Sequence, residues 1–162
     1  TEPFDSPFAM AGAFRPDGGA YAGVSEKGRV VVRDLPGGEV RCQFDVERVS
    51  RGCEIVFSPD GQTLAVVGSK TWFFDPMTGE EKIERLIDGT PNALSFSPDG
   101  RLLATAIKHG GEVRVYDIES RKEVYLFRMG SIFDVSFTPD GRHLLTANGN
   151  GTSYVIRLES LD

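Results

Sequence analysis

The chain has 162 residues, 40% of them apolar and 26% charged, with a formal net charge of -6. That length suits one ordinary domain and not two large ones, and the composition is that of a soluble globular fold rather than a fibre or a disordered tail. An acidic chain with no basic run longer than two residues lacks the clustered positive surface that nucleic acid demands. No 18-residue apolar stretch is present to cross a membrane.

Glycine is frequent at 19 residues, and with 9 prolines it predicts many tight turns. The opening Thr1-Glu2-Pro3-Phe4-Asp5-Ser6-Pro7 is polar and broken by proline, which is not the pattern of a signal peptide. The missing initiator Met suggests a processed chain or a piece of a longer one. Cys42 and Cys53 form no CxxC, so they are expected to be two half-buried thiols in a reducing compartment, the cytoplasm.

Along the chain one pattern recurs four times. Phe14-Arg15-Pro16-Asp17-Gly18, Phe57-Ser58-Pro59-Asp60-Gly61, Phe96-Ser97-Pro98-Asp99-Gly100 and Phe137-Thr138-Pro139-Asp140-Gly141 are spaced by 43, 39 and 41 residues. Proline presets φ, Asp follows, and Gly takes a left-handed position, so each copy predicts a type I turn with a Gly bulge between two antiparallel strands. The first strand carries Gly12/Phe14, Ile55/Phe57, Leu94/Phe96 or Val135/Phe137 on one face. The second carries Tyr21/Gly23, Leu64/Val66, Leu103/Thr105 or Leu144/Thr146, with Ala22, Ala65, Ala104 or Leu145 on the other face. Both faces are therefore expected to lie between layers.

A third strand is predicted at Val30 to Asp34, Thr71 to Asp75, Val113 to Asp117 and Ser153 to Arg157, where β-branched and aromatic residues dominate. A fourth, more polar and suited to an outer edge, is predicted at Glu39 to Phe44, Glu80 to Leu86 and Lys122 to Phe127. The second of these also has apolar residues at helical spacing; the repeat alignment favours a strand.

A period near 40, four strands per unit, Ser-Pro-Asp-Gly after the first strand and an aromatic-Asp ending the third resemble the WD-repeat β-propeller family. The resemblance implies an all-β fold, a β-propeller of four-stranded antiparallel blades at about 9–46, 53–87, 92–128 and 132–158, in a single domain spanning 1–162. The departures are clear. The Trp-Asp pair appears as Arg33-Asp34, Phe74-Asp75, Tyr116-Asp117 and Ile156-Arg157, no unit has the Gly-His pair, and the Asp of the loop between strands two and three is missing. The family's His-Ser-Asp-Trp network therefore cannot form. The pattern is closest to a divergent bacterial type, like the WD-repeat tails of multidomain signalling proteins.

Four blades are few for such a ring, and the fourth lacks an outer strand because only Glu159 to Asp162 follow Leu158. The favoured expectation is a homodimer in which the chain supplies half of an eight-bladed ring. A fragment of a longer propeller and a four-bladed ring are the alternatives. Thr1 to Phe8, with Pro3 and Pro7, is a poor candidate for the absent outer strand.

Catalytic chemistry is not expected. Asp17, Asp60, Asp99 and Asp140 are explained by their turns, so no metal is expected. Gly68-Ser69-Lys70-Thr71 misses the phosphate-loop spacing, so no cofactor is expected either. Asn150-Gly151-Thr152 is a glycosylation sequon with nothing to support a secreted context. His109 and His143, the two histidines, are forced into no triad. Trp72 and Tyr154, aligned with Val31 and Arg114, are expected to pack in the core. By the family's geometry, partners dock on the face carrying the loops between strands two and three and between blades. Here that candidate face holds Glu26, Lys27, Arg48, Arg51, Lys70, Asp88, Lys108, His109, Asn148 and Asn150. Its mixed charge suits a protein or peptide rather than a polyanion. The expected function is a non-catalytic protein-interaction scaffold within a larger signalling or regulatory protein. The alternative is a propeller accessory domain of a hydrolase or of a periplasmic translocation protein.

Overall fold

A computed structural model describes residues 9–47, 49, 53–68, 70–83, 86–87, 90–107 and 110–159. The four Pro-Asp-Gly segments make the turns that their sequence predicts. In each, the Gly N–H donates to the carbonyl three residues earlier at 2.8 Å, as in Gly61 to Ser58 and Gly100 to Ser97. Gly18, Gly61, Gly100 and Gly141 all have φ between 68 and 74°, the left-handed region that glycine enters without a Cβ clash.

The turn also satisfies itself. The Asp Oδ1 accepts the N–H two residues on, in Asp17, Asp60, Asp99 and Asp140 alike. In the last three copies a Ser58, Ser97 or Thr138 hydroxyl donates to the same carboxylate at 2.5 to 2.6 Å. That hydroxyl bond, then the N–H bond, holds the carboxyls of Asp60, Asp99 and Asp140 below the usual carboxylate range.

The chain divides into two compact units, Thr1–Arg85 and Leu86–Asp162. The first contains β1 (Ala9–Phe14), β2 (Ala20–Ser25), β3 (Arg29–Asp34) and β4 (Val40–Asp45), followed by β5 (Ile55–Phe57), β6 (Leu64–Val67), β7 (Thr71–Phe74) and β8 (Glu81–Ile83). They form two four-stranded antiparallel sheets in sequential order. The second unit contains β9 (Ala93–Phe96), β10 (Leu102–Ile107), β11 (Glu112–Asp117) and β12 (Lys122–Arg128), then β13 (Ile132–Phe137), β14 (His143–Asn148) and β15 (Ser153–Arg157). Its first sheet has four strands and its second three. The described residues contain no helix, so the fold is all-β, and each sheet is the antiparallel meander of a β-propeller blade.

Register explains why the repeated residues recur. Leu64 stands across from Phe57 and Phe74, and Leu144 from Phe137 and Ile156. The positions that hold Trp in the family's Trp-Asp pair therefore face this second-strand residue. In the first unit, one sheet contributes small and β-branched residues such as Ala22, Val30 and Val32. The other contributes large ones, Phe57, Leu64, Trp72 and Phe74. The second unit repeats the scheme, with Ala104, Val113 and Val115 against Val135, Phe137 and Leu144. Small residues on one sheet let the two backbones approach, and large ones on the next fill the gap.

The acidic residue that ends a third strand caps the following turn. Asp75 accepts from the Met77 N–H at 2.7 Å and Asp117 from the Ser120 N–H at 2.8 Å. Four residues after that Asp, Gly38 and Gly79 are left-handed; the third blade puts Arg121 there, with φ at 57°.

Three expectations need adjustment. The fourth strand of the second blade is described over Glu81–Ile83, and Leu86 is buried outside any strand. Trp72 is buried, but Tyr154 is half exposed, because β15 is an edge with no strand beyond it among the described residues. Of the second strands, β6 and the middles of β2 and β10 are buried across both faces, whereas β14 alternates buried and exposed. Thr1 to Phe8, weighed as an outer strand for the last blade, lies outside the described residues.

Candidate interaction face

The loops that join second to third strands carry the candidate residues. In the β2–β3 loop, the Gly28 N–H donates to the Ser25 carbonyl at 2.9 Å, and the Ser25 hydroxyl accepts from the Arg29 N–H at 3.1 Å. This fixes a tight tip from which Glu26 and Lys27 project into solvent. In the β6–β7 loop, Lys70 lies with its ammonium 5.4 Å from the Trp72 ring and 3.9 Å from Glu81. Its side chain remains more than half exposed. Buried Trp72 makes a rigid base under the exposed Lys70 ammonium, which Glu81 partly offsets.

The β14–β15 loop is different. Asn148 accepts from the Thr146 hydroxyl and donates to the Thr152 hydroxyl, both at 3.1 Å. Asn150 accepts from the Thr152 hydroxyl at 2.7 Å and from its N–H at 3.1 Å. These bonds tie both amides into the loop itself, Asn148 buried and Asn150 exposed. Thr146 and Asn148 are thus a buried polar pair in the blade, in a chain whose sequence excludes the His-Ser-Asp-Trp network. Arg48, Arg51, Asp88, Lys108 and His109 lie outside the described residues.

At the opposite, turn-bearing end of the second unit the structure shows what sequence reasoning did not single out. An open cleft of about 180 Å³ is lined by Asp99, Arg101, Leu102, Arg142, Leu158 and Glu159. Arg101 and Arg142 each follow the turn glycine, where the first two copies have Gly19 and Gln62; that substitution was the available signal. The Arg101 Nε donates to Asp117 at 2.8 Å. The Ser120 N–H and this guanidinium together hold Asp117 down to about 2.

A depressed carboxyl adds stability that is complete above its unfolded value, near 3.9, and drains away as pH falls toward the folded value. Asp117→Asn is therefore expected to lower Tm at neutral pH and to flatten its decline between about pH 4 and pH 2. A variant whose thermal melts decline with acid as steeply as the parent's would contradict this role.

The described residues contain no group of three His, Cys, Asp or Glu placed to hold a metal. Both cysteines are free and half buried, and burial pushes their thiols up, away from the reactive thiolate. No helix is long and apolar enough to cross a membrane among the described residues.

Comparison with known proteins adds two findings. A 77-residue stretch is 42% identical to Autophagy-related protein 18 of Meyerozyma guilliermondii; the aligned part is 43% of this chain and 14% of that relative. The chain thus spans a small part of the relative's length. Residues 40–159 match the family described as Eukaryotic translation initiation factor eIF2A. The match runs from β4 to the end of β15, well over half of the chain and across both units. By this match the chain belongs to the eIF2A family.

Proposed function

We propose that this chain is a non-catalytic protein-interaction module, one propeller domain spanning 1–162, that serves a larger protein acting in translation initiation. The family match over residues 40–159 carries this reading. Rigid sheets with self-satisfied turns at one end and exposed charges at the other suit a docking surface. In the first unit Glu26, Lys27 and Lys70 form its described part, and in the second Asn148 and Asn150 shape one loop; Arg48, Arg51, Lys108 and His109, assigned to the same face by the resemblance, lie outside the described residues. A mixed-charge rim of this kind selects a protein or peptide, with no part for nucleic acid or membrane. The setting is cytoplasmic, and two chains pair.

A place among bacterial signalling proteins rests only on the missing Trp, Gly-His pair and loop Asp. The family match favours translation initiation instead. The test is competition in a cell-free eukaryotic translation extract. Added protein should depress cap-dependent reporter synthesis, and Lys27→Glu with Lys70→Glu should relieve the inhibition. Parent protein without effect at high micromolar concentration, or equal inhibition by the double variant, would refute the reading.

A further inference from the structure

Within each unit, two sheets meet through the same joint. The face that carries Ala22 in the first sheet, or Ala104 in the third, packs on the face that carries Phe57 and Leu64, or Phe137 and Leu144, of the next. In the second unit a hydrogen bond crosses this joint, from the Phe137 N–H to the Ser95 hydroxyl at 3.1 Å. Among the described residues two faces of the same kind are left uncovered. On the first sheet Phe14, aligned with Phe57 and Phe137, is 67% exposed, while those two are 9% exposed. Its ring lies 5.3 Å from that of Tyr21, on the face away from the core. On the fourth sheet Leu145, aligned with Ala22 and Ala104, is 46% exposed, and its cross-strand partner Val155 is 68% exposed. Ser136, aligned with Ser95, also pairs with Leu145.

These two uncovered faces are the two halves of the joint already built twice in the chain. We infer that the open face of the fourth sheet, Leu145 and Val155, seats on the open face of the first sheet, Phe14 and Tyr21, of a second copy of this chain. The Ser136 hydroxyl then accepts from the partner's Phe14 N–H, as Ser95 accepts from Phe137. The occupant is a second copy because the contact continues the established joint, and each copy offers both halves once. This rests on the chain-pairing reading above and specifies its surface. Two copies joined this way make two equivalent joints and satisfy both faces of each.

Light scattering on Val155→Asp, Phe14→Asp and an equimolar mixture tests it. Both substitutions lie on exposed positions, so each variant should melt like the parent monomer. The parent is expected at about twice 17.7 kDa and each single variant at 17.7 kDa. The mixture should regain the doubled mass, since one of its two joints is then native on both sides. A parent dimer that both variants preserve would overturn this joint while leaving chain pairing intact. A parent that stays at 17.7 kDa at all concentrations, as it would if further blades of a longer chain cover these faces, overturns both.

Discussion

Gly111→Ala is expected to lower stability by about 3 kcal/mol or more, whereas Gly151→Ala costs only about 1 kcal/mol. Both glycines sit in loops between second and third strands of the same unit, and both have positive φ, 63° and 81°. The left-handed backbone alone costs an L-residue about 1–2 kcal/mol. Their surroundings differ. A Cβ on Gly111 would lie 2.3 Å from the carbonyl oxygen of Gly130 and 2.7 Å from its Cα. The Gly111 carbonyl meanwhile accepts from the Met129 N–H at 2.9 Å, so the end of β12 is laid directly over this loop. Relief of the clash must move backbone and break that bond. Gly151 has nothing within 4 Å, because no fourth strand covers its loop among the described residues. At about 2–4 °C per kcal/mol, thermal melts should separate the two variants by roughly 5 °C. Equal Tm values would show that the outer strand does not rest on this loop.

Leu144→Ala should cost about 2–5 kcal/mol, and Leu145→Ala, one residue along the same strand, within about 0.5 kcal/mol of nothing. Adjacent strand residues face opposite sides. Leu144 is fully buried in the cluster with Val135, Phe137 and Ile156, where a deleted side chain leaves a cavity that rigid neighbours cannot fill. Leu145 points to the uncovered face. Urea unfolding of both variants at low protein concentration reads the difference directly, and the low concentration keeps any pairing through Leu145 out of the comparison. A comparable loss at both positions would mean that β14 has both faces covered.

The blades were legible because their determinants are local. Each Pro-Asp-Gly turn is specified by proline, a carboxylate and a glycine within five residues, and the structure places all four as the spacing demands. Third strands followed from runs such as Val30-Val31-Val32 and Thr71-Trp72-Phe73-Phe74. The limits of the reading are equally physical. Alignment alone put Tyr154 in the core with Trp72, but burial depends on a neighbouring strand that the last blade lacks. Short polar runs such as Glu81-Lys82-Ile83 have little pattern, so the end of β8 was not visible. The interaction face was a list of loop positions by family geometry. Sequence could not tell that Lys70 is exposed above a buried Trp72 while Asn148 is spent inside its own loop. The Arg101–Arg142 cleft was not legible because the residue after each turn glycine differs from copy to copy and the repeat pattern does not include it.

Every described strand pairs only with its immediate neighbours in sequence. No pairing among the described strands waits for a distant segment, so the entropy of closing long loops is small at each of these steps. As the chain leaves the ribosome, a blade can therefore zip up hairpin by hairpin before the next blade has been synthesised. The slow event is then the meeting of one finished sheet with the next. The order of folding is written as the order of translation, from β1 onward.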